Sequence, residues 1–186
     1  MPAANRRQRG PRQATKERLE RWALSYLERY AASAAGVRRV LMRRVERSAS
    51  AHGTDRSEGA VFVDALVKRF LDSGLIDDRS FAEGRVATLR RRGASSNRIR
   101  QTLAAKGVAR EVIAATLADA AGDLAAAIQL ARRRRLGPYR NDAERQANRA
   151  RDMAVLARAG FGYDVARKVI EAESTDALAV LLEQEA

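Results

Sequence analysis

Cysteine is absent from the 186 residues, and histidine occurs once, as His52. Without thiols there is no disulfide framework and no thiolate chemistry, and a reducing cytoplasm is the expected home. One imidazole cannot build a paired-imidazole metal site. Proline is also scarce: only Pro138 lies beyond residue 11, which leaves a proline-free stretch suited to helices in tandem. Aromatics are 5% of a chain that is 46% hydrophobic, so small aliphatic side chains dominate and closely packed helices are favoured over a thick β-sandwich core. No run approaches the roughly 18 uninterrupted apolar residues of a membrane span. The N-terminal arginines are followed by no apolar segment, so a secretory signal is not expected. Enzyme signatures are missing too. No Gly-Lys-Ser/Thr phosphate loop occurs, and His52 in the break Ala51-His-Gly-Thr-Asp55 reads as a solvated residue rather than a base. The adjacent Asp77 and Asp78 read as helix caps rather than as an acid–base pair or a magnesium site. The expectation is an all-α protein that is not an enzyme and uses no cofactor or metal.

What the chain has in excess is positive charge. It carries 36 Lys plus Arg against 23 Asp plus Glu, a net charge of +13, and lysine occurs only at 16, 68, 106 and 168. Residues 1–16 hold Arg6, Arg7, Arg9, Arg12 and Lys16 with no acid and contribute +5, so the remainder keeps +8. The bias therefore extends beyond a basic tail. A codon preference for alanine and arginine accounts for part of it. The sign of the excess still points to a polyanionic partner or a nucleoprotein surface.

One short phrase recurs three times: an apolar residue, three more residues, a glycine, then another apolar residue. It reads Phe70…Gly74-Leu75, Leu103…Gly107-Val108 and Leu156…Gly160-Phe161. Glycine one step past the last helical residue accepts the left-handed conformation that ends a helix, because it has no Cβ to clash. Downstream, Val112, Ile113, Thr116 and Leu117 answer Val165, Ala166, Val169 and Ile170. The recurrence predicts stacked helical repeats.

Apolar periodicity fills in the rest. Leu19, Ala23, Tyr26, Leu27 and Tyr30 share a face; Val37, Val40, Leu41 and Val45 share another over 34–50. Asp55 and Glu58 stand in capping-box spacing before Phe62, Ala65, Leu66 and Phe70, and Asn141 and Glu144 do so before Ala147, Ala150, Ala154 and Ala157. About nine helices in three groups of three result. The predicted layout is a disordered basic arm (1–16), three helical repeats (17–75, 76–121 and 122–173) and a C-terminal tail (174–186), the repeats forming an elongated curved array of either hand.

Three arginine clusters are the informative polar features. Arg38, Arg39, Arg43 and Arg44 recur along one helix, with Arg47 beyond them; Arg90, Arg91 and Arg92 and then Arg132, Arg133, Arg134 and Arg135 close two other helices. Pairing with the negative helix end stabilises by about 0.3–1 kcal/mol per cation and explains one or two arginines per helix. Four in a row repel one another and call for an outside counter-charge. The core register of Tyr26, Tyr30, Phe62, Phe70 and Phe81 argues against stacking on single-stranded bases.

The stretch Gly74-Leu-Ile-Asp-Asp-Arg-Ser-Phe-Ala82, followed by Arg90-Arg-Arg-Gly93, Ile99, Leu103 and Lys106-Gly-Val108, resembles the RecX family of bacterial regulatory proteins. The resemblance covers about residues 20–173. The first repeat departs from the family pattern, with Ala34-Ala-Gly-Val-Arg-Arg-Val-Leu41 in place of a lysine-glycine corner. The resemblance implies three tandem three-helix repeats and a protein that binds the RecA–DNA filament and dampens RecA ATPase, strand exchange and co-protease function. It supplies no catalytic set. The expected partners are the RecA filament and single- or double-stranded DNA through the basic surface, with the protein a monomer that uses no membrane. The eleven clustered arginines are the expected filament- or DNA-facing residues. The rival reading is a stand-alone basic DNA-binding protein of helix-turn-helix type, presenting the helix after Gly107.

Overall fold

In a computed structural model, residues 11–118 and 122–184 are described, and among them the chain forms ten α-helices, one 3₁₀ turn and no strand. The helices are α1 (Lys16–Leu27), α2 (Ala34–His52), α3 (Arg56–Asp72), α4 (Asp78–Arg91), α5 (Ser96–Ala105), α6 (Arg110–Ala118), α7 (Asp123–Arg134), α8 (Asp142–Arg158), α9 (Tyr163–Glu171) and α10 (Thr175–Gln184), with the 3₁₀ turn at Gly137–Tyr139. The all-α expectation holds. Two compact units divide between Phe81 and Ala82, inside α4.

The recurrent phrase is a helix-ending motif. In its second and third copies the glycine N–H donates to the carbonyl three residues back, and the next apolar residue's N–H donates to the phrase's first residue: Val108 to Leu103 at 3.2 Å and Phe161 to Leu156 at 3.2 Å. Gly107 and Gly160 have φ of +79° and +90°, and the two apolar ends of each phrase are buried together. A fourth corner has the same bonding at Gly93, with φ +73° and Ala94 N–H donating to Leu89 O. The first copy differs by one residue. There Ile76, not Leu75, donates to Phe70 O and is buried, which leaves Leu75 outside.

The first unit packs α1–α3 around Leu19, Ala23, Val37, Leu41, Val45, Val63, Leu66, Val67, Phe70 and Ile76. Four expected core positions fall elsewhere, among them Val40, which is half-buried and outside this cluster. Ala65 is exposed because α3 turns Val63 and Val67 inward, and Phe62 is only half-buried, under the Lys16 ammonium. Tyr30 lies beyond the end of α1 and is 55% exposed. The paired aspartates do cap, but not the same helix. Asp77 accepts from the N–H groups of Arg79 and Ser80 at the start of α4, while Asp78 accepts from Ala34 N–H at the start of α2. Residues 1–10 of the expected arm, including Arg6, Arg7 and Arg9, lie outside the described residues. Ahead of α1, Ala14 N–H donates to the buried Ser48 hydroxyl and His52 Nε2 lies 2.6 Å from the Pro11 carbonyl.

The second unit centres on Leu124, Ala127, Ile128, Ala131, Leu136, Leu156, Phe161, Val169, Ile170 and Leu178. On α8 the stripe Ala147, Ala150, Ala154 and Ala157 faces solvent, contrary to expectation, and Asp152 and Leu156 face inward. Four alanines bury little area, so a leucine and a well-bonded aspartate decide the rotation of the helix. α10 docks on α7 through Leu178.

Candidate polyanion-binding surface

The eleven arginines fall into two sets, one in each unit. In the first unit they ride on α2, whose buried stripe Val37, Leu41 and Val45 turns the intervening positions outward. Arg38 is committed to Asp64 on α3 by two hydrogen bonds, Nε to Oδ1 at 2.6 Å and Nη2 to Oδ2 at 3.3 Å. Its partner's carboxyl is held below the usual carboxylate range, chiefly by that hydrogen bond. Both side chains are about half exposed, and ion pairs of this kind contribute little in water. Arg44 lies over the Trp22 ring, 4.9 Å from its centroid, and is half-buried. Burial, then the neighbouring Arg47 and Arg43, lowers its pKa from the ordinary arginine value. Arg39 and Arg43 are exposed.

In the second unit, two runs that are forty residues apart in the chain come together. The C-terminal corner of α4 passes directly over α7 at Gly93, where an added Cβ would stand 2.9 Å from Leu130 N and 3.0 Å from Ala126 O. That approach lets Arg133 Nη1 donate to the Arg92 carbonyl at 2.9 Å. Arg91, Arg92, Arg132, Arg133, Arg134 and Arg135 are all exposed. Among the described residues none of these six guanidinium groups has a carboxylate at ion-pair distance. Arg135 ends α7 in the left-handed conformation, φ +53°, the one residue other than glycine to do so among those described. Each run closes a helix, and the partial negative charge of a helix C-terminus offsets only part of the cationic charge.

Arg90, expected on the surface with its neighbours, is turned inward instead. Its side chain is 10% exposed and donates to Asp123 Oδ1 at 2.6 Å, to Ser96 Oγ at 2.6 Å and to Ala94 O at 3.1 Å. Asp123 also accepts from Ser96 N–H at 2.7 Å. Burial acts to raise the Asp123 carboxyl, but the bonds from Arg90 and Ser96 outweigh it and hold it below the usual range. This network fastens α4, α5 and α7. Nearby, buried Ser95 accepts from Arg98 N–H as the α5 cap and donates to Ala159 O at 2.8 Å, and Asn97 Nδ2 donates to Gly160 O. A second pin lies under the 3₁₀ turn, where Asp152, 1% exposed, accepts from Gly137 N–H and from Arg140. Sequence reasoning missed Asp123 and Asp152 because each meets its arginine across a corner of the fold, at no helical spacing.

Arg133 and Arg92 thus meet beside a base fastened by these networks, and their neighbours in each run are exposed. Unit charges ~7 Å apart repel by ~0.6 kcal/mol in water, so the folded chain tolerates the cluster while a bound polyanion relieves it. The face of α6 differs: Ala114, Ala115 and Ala118 are exposed beside Arg110 and Glu111, a poor set for reading base edges. Among the described residues no helix is long and apolar enough to cross a membrane.

No solved structure matches the chain. A family model described as RecX, second three-helix domain, matches residues 77–117, the window holding the Asp77–Asp78 caps and the Gly93 and Gly107 corners. The Regulatory protein RecX of Agrobacterium fabrum is 36% identical over 106 residues, 57% of each chain. That of Myxococcus xanthus is 44% identical over 165 residues, 87% of this chain and 88% of the relative. At that identity across nearly the whole of both proteins, the chain belongs to the RecX family of regulatory proteins.

Proposed function

We propose that this protein is a negative regulator of the RecA recombinase. It binds the RecA–DNA filament in the cytoplasm as a monomer built of three tandem three-helix repeats, and it lowers ATP hydrolysis, strand exchange and co-protease activity. It acts by binding, not by catalysis. The observation that carries the reading is the exposure of Arg91, Arg92 and Arg132–Arg135 with no carboxylate partner among the described residues, Arg133 reaching the Arg92 carbonyl between the two runs. A filament whose DNA backbone is a line of phosphates supplies the missing counter-charge. Arg39 and Arg43, with Arg38 and Arg44 beside them, form a second, weaker contact. Arg90 drops out of the contact set, since its bonds belong to the fold.

The test is a titration of RecA ATPase and strand exchange with the wild-type chain and with a variant carrying glutamate at 132–135. The wild type is expected to inhibit both activities, and the variant to lose most of that inhibition while its far-UV helicity is unchanged. Inhibition that survives the reversal intact removes the cluster from the mechanism. Binding to DNA without RecA distinguishes the stand-alone reading. Were that the activity, affinity would fall by roughly 0.9 log units per log unit of salt for each duplex phosphate contacted, and RecA would add nothing to it.

A further inference from the structure

The shifted corner at Gly74 has an outcome that the other corners do not share. Because Ile76 takes the inward place, Leu75 is left 47% exposed. It stands at the edge of a groove of about 680 Å³ in the first unit, lined also by Leu24, Leu27, Tyr30 and Phe81. Leu24 and Tyr30 are exposed as well, so three of the seven large apolar side chains open to solvent among the described residues line this one groove. Isolated exposed leucines need no explanation, but a concave apolar cluster does.

The charge around it is the reverse of the chain as a whole. Glu28 and Asp77 line the groove, and neither lysine nor arginine does, in a protein with 36 of them. Asp77 stays ionised well into acid: its bonds to the Ser80 hydroxyl and to the Ser80 and Arg79 N–H groups hold its pKa down. Two carboxylates and no cation in the lining make this a poor phosphate site, and an apolar floor gives a sugar–phosphate backbone little to bind. A protein segment with apolar side chains flanked by lysine or arginine matches both features.

Resting on the RecA reading above, we propose that this groove docks such a segment of the recombinase itself, so that the first unit holds the protein component of the filament while the arginine cluster of the second unit holds its phosphates. The full-length chain is tested for binding to RecA filaments on single-stranded DNA and to the same DNA without RecA. Tyr30→Ser with Leu75→Gln, both at positions more than a third exposed, is expected to weaken filament binding about tenfold and to leave binding to bare DNA within about twofold. Glu28→Lys gives the opposing sign. It adds a cation and so strengthens any phosphate contact, yet it is expected to weaken filament binding about threefold. It also keeps the test decisive should the double variant lose helicity. Filament binding unchanged by both variants, or strengthened by Glu28→Lys, overturns the docking site. A wild-type chain that ignores RecA filaments overturns the regulatory reading beneath it.

Discussion

The two compact units differ in their ionic groups: among the described residues, only the second adds inward-facing pairs to its exposed ones. In the first, the ion pairs Arg38–Asp64, Arg56–Glu46, Lys68–Asp72 and Arg69–Glu20 all lie in water, and the fold rests on large aliphatic side chains such as Leu19, Leu41, Leu66 and Phe70. In the second, four alanines at 126, 127, 131 and 166 share the core with Leu124, Leu156 and Phe161, and alanines bury little surface each. Two inward-facing pairs, Arg90–Asp123 and Arg140–Asp152, take up the task of fixing geometry. The difference explains which arginines are available. Each inward aspartate selects a single arginine, and the others in the second unit's clusters stay outside with their charge unspent.

The sharpest way to break this contrast is to remove one aspartate from each unit. Asp152→Ala strands Arg140 and the Gly137 N–H, and a broken buried pair of this kind costs about 3 kcal/mol. Asp64→Ala removes an exposed pair and is expected to leave the urea midpoint within replicate scatter. Equal effects would erase the distinction between the units. Next in size is a glycine comparison. Gly93→Ala meets both a left-handed backbone and the α7 backbone 2.9 Å away, and is expected to cost about 2 kcal/mol and to weaken inhibition by prising the two arginine runs apart. Gly53→Ala has the left-handed backbone, φ +68°, with nothing within 4 Å, so it is expected to cost about 1 kcal/mol and to spare inhibition.

The smallest effect is read as an order of events in acid. For Asp123 and Asp152, burial pushes the carboxyl up, but bonds from Arg90 and Arg140 prevail and set each below its unfolded value. Their stabilisation is therefore complete above the ordinary aspartate value of about 3.9 and is lost as pH falls through the lower folded value. Trp22, the single tryptophan, sits in the first unit and reports on it alone. Helicity by circular dichroism is expected to fall at a higher pH than Trp22 fluorescence changes. Coincident transitions would mean that the inward pairs give the second unit no special acid sensitivity.

Much of this was legible before any coordinates. The helix-ending glycines at 74, 107 and 160 and the caps at Asp55 and Asn141 involve groups a few residues apart, so local spacing was enough to find them. Periodicity located the buried faces of α2 and α9 for the same reason. It failed on α8, where an alanine stripe looked apolar but had too little area to win, and on Tyr30, where the helix ended before the register could carry the ring inward. The arginine clusters were visible as runs, yet nothing in their spacing separated Arg90 from Arg91.

Sequence alone thus determined an all-helical chain, the glycine corners at 74, 107 and 160 where three of its helices stop, and an arginine excess clustered at α2 and at the ends of α4 and α7. Only the tertiary structure decided that the Gly93 corner packs on α7 and brings Arg133 to the Arg92 carbonyl, that Asp123 withdraws Arg90 from the surface, and that Leu75 is left facing a groove with an acidic edge. The physical reason is range. Capping and helix termination are set by hydrogen bonds within one turn, whereas the pairing of charges and the closure of grooves depend on which distant backbones can approach, and that is settled by packing.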